Sequence, residues 1–237
     1  MQTQTPGLLI SFDGLDSTGK ATQAKKVVER LRSQGYTVLE VSTPDYNTPS
    51  GQEIKLRFQN KVGNWEQTPW QEKLGYFARN RAEHRDEVMA AIAKGHMVVY
   101  DRYVPSSLAF ITVEAMIEGK TDLSRQAIWR AIEKEEYISH QMPKEDVSIF
   151  LDVNPALAEK LLNKRKEVTK DGHEYTDYIH VQEKLYQEYD AMCTSDPKRF
   201  ARITCLQDDV LQSPEKVGRL VWAELTKRFP QLEKNPV

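Results

Sequence analysis

The sequence predicts an α/β protein organised around a parallel sheet, and two observations carry that prediction. Five short apolar runs, at residues 8–12, 38–41, 97–100, 147–153 and 202–206, read as strands. Several are continuously apolar rather than alternating, as expected for strands covered on both faces. Longer stretches of helical periodicity lie between them. Strands that alternate with helices join by right-handed crossovers and form a parallel sheet flanked by helices.

Each element has its own signals. After the first run, Ala24, Val27, Val28 and Leu31 recur at helical spacing, and Gly35 supplies a stop. Residues 44–51 (PDYNTPSG) follow the second run and are rich in turn formers. One long helix is expected from about Trp70 to Lys94, with Gly95 beyond its end. Residues 164–173 (KRKEVTKDGH) are charged and nearly without apolar side chains, and they interrupt two helical stretches as a flexible loop. Such a loop is either a solvated connection or a lid that closes on phosphates, with the lid segment spanning about 164–177. The tail from residue 230 is expected to fray.

Composition narrows the class. The 237 residues are 39% hydrophobic and 29% charged, which suits a single domain over 1–237 with a small mobile lobe. A formal net charge of −2, with both signs interspersed, argues against nucleic acid as a partner. No apolar run approaches the roughly 18 residues of a membrane helix, and residues 1–7 do not form a signal peptide. The two cysteines, Cys193 and Cys205, have neither metal spacing nor a disulfide framework, so a reducing, cytoplasmic compartment is expected.

The strongest motif is Gly14-Leu15-Asp16-Ser17-Thr18-Gly19-Lys20, placed between the first strand and the first helix. This is the strand–loop–helix setting of a P-loop. Glycines let backbone N–H groups wrap a phosphate, and the helix N-terminus adds a favourable dipole. Lys20 would bring its charge to the β and γ phosphates of ATP, from a side chain expected to face solvent when no ligand is bound. The next position departs from the motif: it carries Ala21, followed by Thr22, where a hydroxyl normally helps to hold Mg²⁺. Mg²⁺ usually keeps several waters, so a water ligand can take that place.

Three further segments make the assignment specific: residues 74–84 (LGYFARNRAEH), 99–110 (VYDRYVPSSLAF) and 142–155 (MPKEDVSIFLDVNP). With FDGLDSTGKATQ in front of them, in this order and spacing, the chain resembles the thymidylate kinases over about residues 8–189. The resemblance implies a P-loop NTPase-type five-stranded parallel sheet flanked by helices, with a mobile lid. It also implies a homodimer that phosphorylates dTMP with ATP and Mg²⁺. The nearest alternatives are a kinase for dUMP, dCMP or UMP, and a nucleotide-binding regulatory module without turnover, the latter suggested by Ala21.

The resemblance assigns roles to individual residues. Gly14 through Thr22 would hold ATP. Arg102, in the Asp101-Arg102-Tyr103 segment, offers a planar fork to the acceptor monophosphate. Phe77 and Arg81 lie four apart and share a helix face, where the ring would stack on thymine and the guanidinium would donate to its O4 edge. Phe77 equally suits a core aromatic, and Arg81 a solvated helix arginine. Ser107 would meet the N3–O2 edge, Phe110 would crowd the sugar C2′, and Tyr46 and Asp13 would approach the acceptor phosphate. Asp16 and Asp101 would serve the metal, Asp101 through water. The loop carries no arginine, so the lid would supply the catalytic charge, with Arg165 the best candidate beside Lys164, Lys166 and Lys170. His173 reads as a surface residue rather than a base.

Overall fold

A computed structural model describes residues 7–117, 121–169 and 179–233. Five parallel strands form one sheet: β1 (Leu9–Asp13), β2 (Val38–Ser42), β3 (Met97–Asp101), β4 (Val147–Asp152) and β5 (Phe200–Thr204). Their spatial order is β2-β3-β1-β4-β5, so β1 lies at the centre with every residue buried. The chain leaves β1 to build one side of the sheet and then crosses to build the other. The crevice at the carboxyl ends beside β1 is therefore the topological switch point where α/β folds bind ligands.

Helices cover both faces. They are α1 (Lys20–Ser33), α2 (Pro49–Phe58), α3 (Trp70–Ala82), α4 (Arg85–Ala93), α5 (Val104–Ile117), α6 (Arg125–Glu133), α7 (Pro155–Thr169), α8 (Ile179–Ser195) and α9 (Pro214–Arg228). On α1 the predicted stripe of Ala24, Val27, Val28 and Leu31 is buried. No helix among the described residues is long and apolar enough to cross a membrane.

Three expectations need correction. The helix expected over residues 70–94 is two helices, broken at Glu83 and His84. No Gly or Pro marks the break. It turns both side chains onto the segment after β2: Glu83 accepts from the Ser50 N–H at 3.2 Å, and His84 lies 3.3 Å from Asp45. The last strand begins at Phe200 and ends at Thr204. Leu206 belongs instead to a small antiparallel hairpin, Leu206–Gln207 with Val210–Leu211. Asp208 and Asp209 both have positive φ there, as a two-residue hairpin turn demands. Finally, α7 runs unbroken through Lys164 to Thr169, so the first part of the expected flexible loop is helical. Its long side chains are good helix formers, and polarity alone does not mark a loop. Lys170 and His173 lie outside the described residues.

Candidate active site

Three loops at the carboxyl edge converge on one cavity. Its wall takes Gly14, Leu15 and Asp16 from the loop after β1, and Thr43, Pro44 and Tyr46 from the turn after β2. Arg102 comes from the end of β3, and Ser106, Ser107 and Phe110 from α5. Phe77 and Arg81 of α3 form the far side, with Phe58 next to them, and Leu185 and Tyr189 of α8 close the remaining side.

The phosphate-loop end is built by α1. Gly19 caps the helix at φ 94°, a left-handed conformation that suits glycine. No side chain caps the helix and no acid occupies its first turn, so its positive end stays open to an anion. Thr18 folds back onto the Leu15 carbonyl at 2.9 Å. Lys20 does the same through Nζ and is only 6% exposed, which corrects the expectation of a solvent-facing lysine. Burial and the neighbouring Arg102 charge push the Lys20 ammonium down to about 7, against the opposing pull of Asp16, Asp101 and Asp13. Ala21 and Thr22 stand exposed on the first turn of α1.

Arg102 sits at φ 67°, a strained conformation for arginine of the kind that collects at functional sites. Its N–H donates to the Phe12 carbonyl at 2.9 Å, and its carbonyl accepts from Thr43 Oγ1 at 2.7 Å. The guanidinium pairs with Asp16. Burial works against the Asp16 carboxylate, yet Arg102, Lys20 and Arg165 together hold it below the ordinary aspartate value. Arg165 of α7 is thus within electrostatic reach of the phosphate loop. Gln182 of α8 also reaches the loop, with its Oε1 accepting from the Asp16 N–H at 3.4 Å.

Asp13 lies elsewhere than expected. It is fully buried and does not line the cavity. It accepts from Ser11 at 2.7 Å, Ser148 at 2.9 Å, the Tyr103 N–H at 3.1 Å and Ser106 at 2.6 Å. It therefore ties β1 and β4 to the loop that carries Arg102. Asp101 is different. Its Oδ1 is buried with no hydrogen-bond partner among the described residues, and desolvation raises its carboxyl. An orphaned carboxylate oxygen near the anionic Asp16 fits a divalent cation taken together with its waters. No group of three or more His, Cys, Asp or Glu side chains forms a metal cage among the described residues.

The opposite end is aromatic. Phe77 and Phe110 meet edge to face at 5.7 Å, and Trp65 stacks behind Phe110 at 6.5 Å. Arg81 is 3% exposed rather than solvated. Its Nε donates to Glu136 Oε2 at 3.0 Å, and its Nη2 donates to both Glu136 Oε1 and Ser107 Oγ. Tyr46 stands half-exposed over the cavity. Its turn is held by Asn80, whose Oδ1 accepts from the Asp45 N–H at 2.8 Å and whose Nδ2 donates to Thr48 and Ser50. The turn also needs Gly51, since a Cβ there would lie 1.8 Å from the Asp45 carbonyl oxygen.

Sequence reasoning missed Phe58, Leu185, Tyr189 and Glu136. Glu136 left a signal, because it falls four residues after Ile132 and eight after Ile128, in line with the buried stripe of α6 although it lies just beyond that helix. A run of charged neighbours (EKEEY) concealed it.

A glycine loop feeding a bare helix N-terminus, next to an arginine and an aromatic-walled cavity on a parallel sheet, defines a P-loop phosphotransferase. Comparison with known proteins narrows this further. The family model for thymidylate kinase matches residues 12–213. A Bifidobacterium longum thymidylate kinase is 30% identical over 229 residues, covering 95% of this chain and 98% of that one. A Plasmodium falciparum thymidylate kinase is 31% identical over 186 residues, covering 77% and 76%. A solved thymidylate kinase from Candida albicans shares the fold, with a TM-score of 0.67 at 21% identity over 97% of this chain and 94% of that one. The chain belongs to the thymidylate kinase family. It is an enzyme, a nucleotide-binding kinase that draws its phosphate from ATP.

Proposed function

We propose that the chain phosphorylates dTMP to dTDP with ATP, working through the residues that wall the cavity beside the phosphate loop. One observation carries this reading. A phosphate-binding loop, an arginine suited to a monophosphate, and a pocket suited to a pyrimidine all share a single cavity wall. No general base is needed, because the attacking phosphate oxygen is already anionic.

Each group has a role. The backbone of Gly14 to Gly19 and the dipole of α1 cradle the donor phosphates, and Lys20 leaves the Leu15 carbonyl to meet them. Arg102 orients the acceptor phosphate, positioned by Asp13 through the Tyr103 and Ser106 contacts. Arg165 adds charge from α7. Phe77 packs on the base, Arg81 and Ser107 read its polar edge, Phe110 crowds the sugar, and Tyr46 closes the phosphate side. Asp16 and Asp101 would hold Mg²⁺ through water, with Ala21 contributing no ligand. When bound, the ion would neutralise phosphate charge.

The same reading makes the chain a cytoplasmic homodimer, consistent with two buried free thiols and with the family resemblance. Incubation with ATP, Mg²⁺ and dTMP, followed by ion-exchange separation of the nucleotides, tests the activity. Stoichiometric dTDP and ADP are expected. ADP without dTDP would point to ATP hydrolysis and contradict the reading.

A further inference from the structure

Behind the base end of the cavity lies a charge that the phosphorylation scheme does not use. Glu136 is completely buried in a short π-helical segment, Lys134–Ser139, that continues α6. π-Segments often mark functional positions. Both carboxylate oxygens of Glu136 are engaged by one partner, Arg81, in a two-pronged pair. Arg81 also donates to Ser107, itself on the cavity wall. Two of the three nitrogens of the guanidinium are thereby committed. Nη1 has no hydrogen-bond partner among the described residues, and Arg81 lines the cavity. The arginine thus has one edge locked into the protein and one left for a ligand.

We propose that Glu136 is a positioning residue for base selection: it clamps Arg81 so that a fixed N–H edge faces the pyrimidine, and it cancels the arginine's charge at that end of the cavity. The proposal rests on the reading that Arg81 faces the base. A planar guanidinium held at two points cannot swing aside. A keto oxygen at the pyrimidine 4-position then meets a donor, whereas an amino group there meets a donor where it needs an acceptor. Rejection of a mismatched polar group is strong when the protein's own group cannot relax. Charge cancellation also leaves Arg102 and the phosphate loop as the anion-attracting end, so the monophosphate enters in one orientation. Without its carboxylate partner, Arg81 could rotate, and the amino-bearing base would regain a place.

Glu136→Gln keeps the shape of the side chain and removes its charge. A coupled assay of ADP formation is first run on the wild-type enzyme. Failure to phosphorylate dTMP at all would overturn the functional reading itself, whatever Glu136 does. With that activity present, the ratio of kcat/KM for dTMP over dCMP is expected to fall roughly tenfold in Glu136→Gln. The KM for ATP should not move. A structural loss would lower both monophosphates alike, so an unchanged ratio in a folded variant overturns the proposal. Glu136→Asp should recover part of the ratio. Should Glu136→Gln not fold, Glu136→Asp, which keeps the charge and shortens its reach to Arg81, is compared with the wild type instead. A lowered dTMP/dCMP ratio supports the clamp, and an unchanged ratio overturns it.

Discussion

Lys20 and Ala21 are adjacent, yet the site treats them differently. Lys20 is buried against a backbone carbonyl, and its charge is suppressed by desolvation and by Arg102. In the proposed scheme, donor phosphates would add to the counter-charge that Asp16, Asp101 and Asp13 offer. Lys20→Ala should lower kcat by about 10²–10³-fold, as for other lost preorganised charges, while circular dichroism shows an unchanged fold. Near wild-type turnover would remove Lys20 from the chemistry. Ala21 is exposed at the open end of α1, and Mg²⁺ accepts water in place of a hydroxyl. Ala21→Ser should therefore change the rate by less than about tenfold and mainly shift the Mg²⁺ titration. A natural enzyme that is inert while Ala21→Ser turns over would contradict this. At this scale the phosphate loop was legible because glycine, lysine and helix start occupy fixed spacings. Phe77 and Arg81 were legible as one helix face. The partner that buries Arg81 was not, because glutamate in a charged run reads as solvent-exposed until the packing is seen.

At the scale of elements, the turn after β2 forms the lip of the cavity. It is not loose, since Asn80 binds it at four points and Gly51 fits only without a Cβ. Gly51→Ala should displace Tyr46 and Pro44 and raise KM for dTMP several-fold, with KM for ATP unchanged. Asn80→Ala should do the same and lower stability by about 1–3 kcal/mol, the penalty of leaving buried polar groups unpaired. Equal effects on both substrates, measured by initial rates, would mean that the turn does not belong to the acceptor side. The sequence marked this turn through its Pro, Asn, Asp and Gly content. It did not mark the break between α3 and α4, which depends on Glu83 and His84 reaching across to Ser50 and Asp45. It also misread residues 164–169, where charge suggested a loop and long side chains make a helix.

The whole molecule follows from its alternating pattern. The apolar runs of β1, β3 and β4 became strands buried on both faces, while the edge strand β2 stays partly exposed, and the order β2-β3-β1-β4-β5 places the phosphate loop at the centre of the carboxyl edge. The same packing shields both thiols. Burial pushes Cys193 up to about 11 and Cys205 up to about 12. At pH 8 neither has appreciable thiolate, so a disulfide reagent should label both only after unfolding. Rapid labelling of the native protein would show that these segments open. How the complete site chooses its acceptor is read from a coupled assay of ADP formation with dTMP, dUMP, dCMP and UMP at saturating ATP and Mg²⁺. The highest kcat/KM is expected for dTMP, with a lower value for dUMP set by a methyl contact of about 1–3 kcal/mol and a much lower one for dCMP. Preference for another monophosphate, or ATP binding with no ADP formed from any of the four, would contradict this.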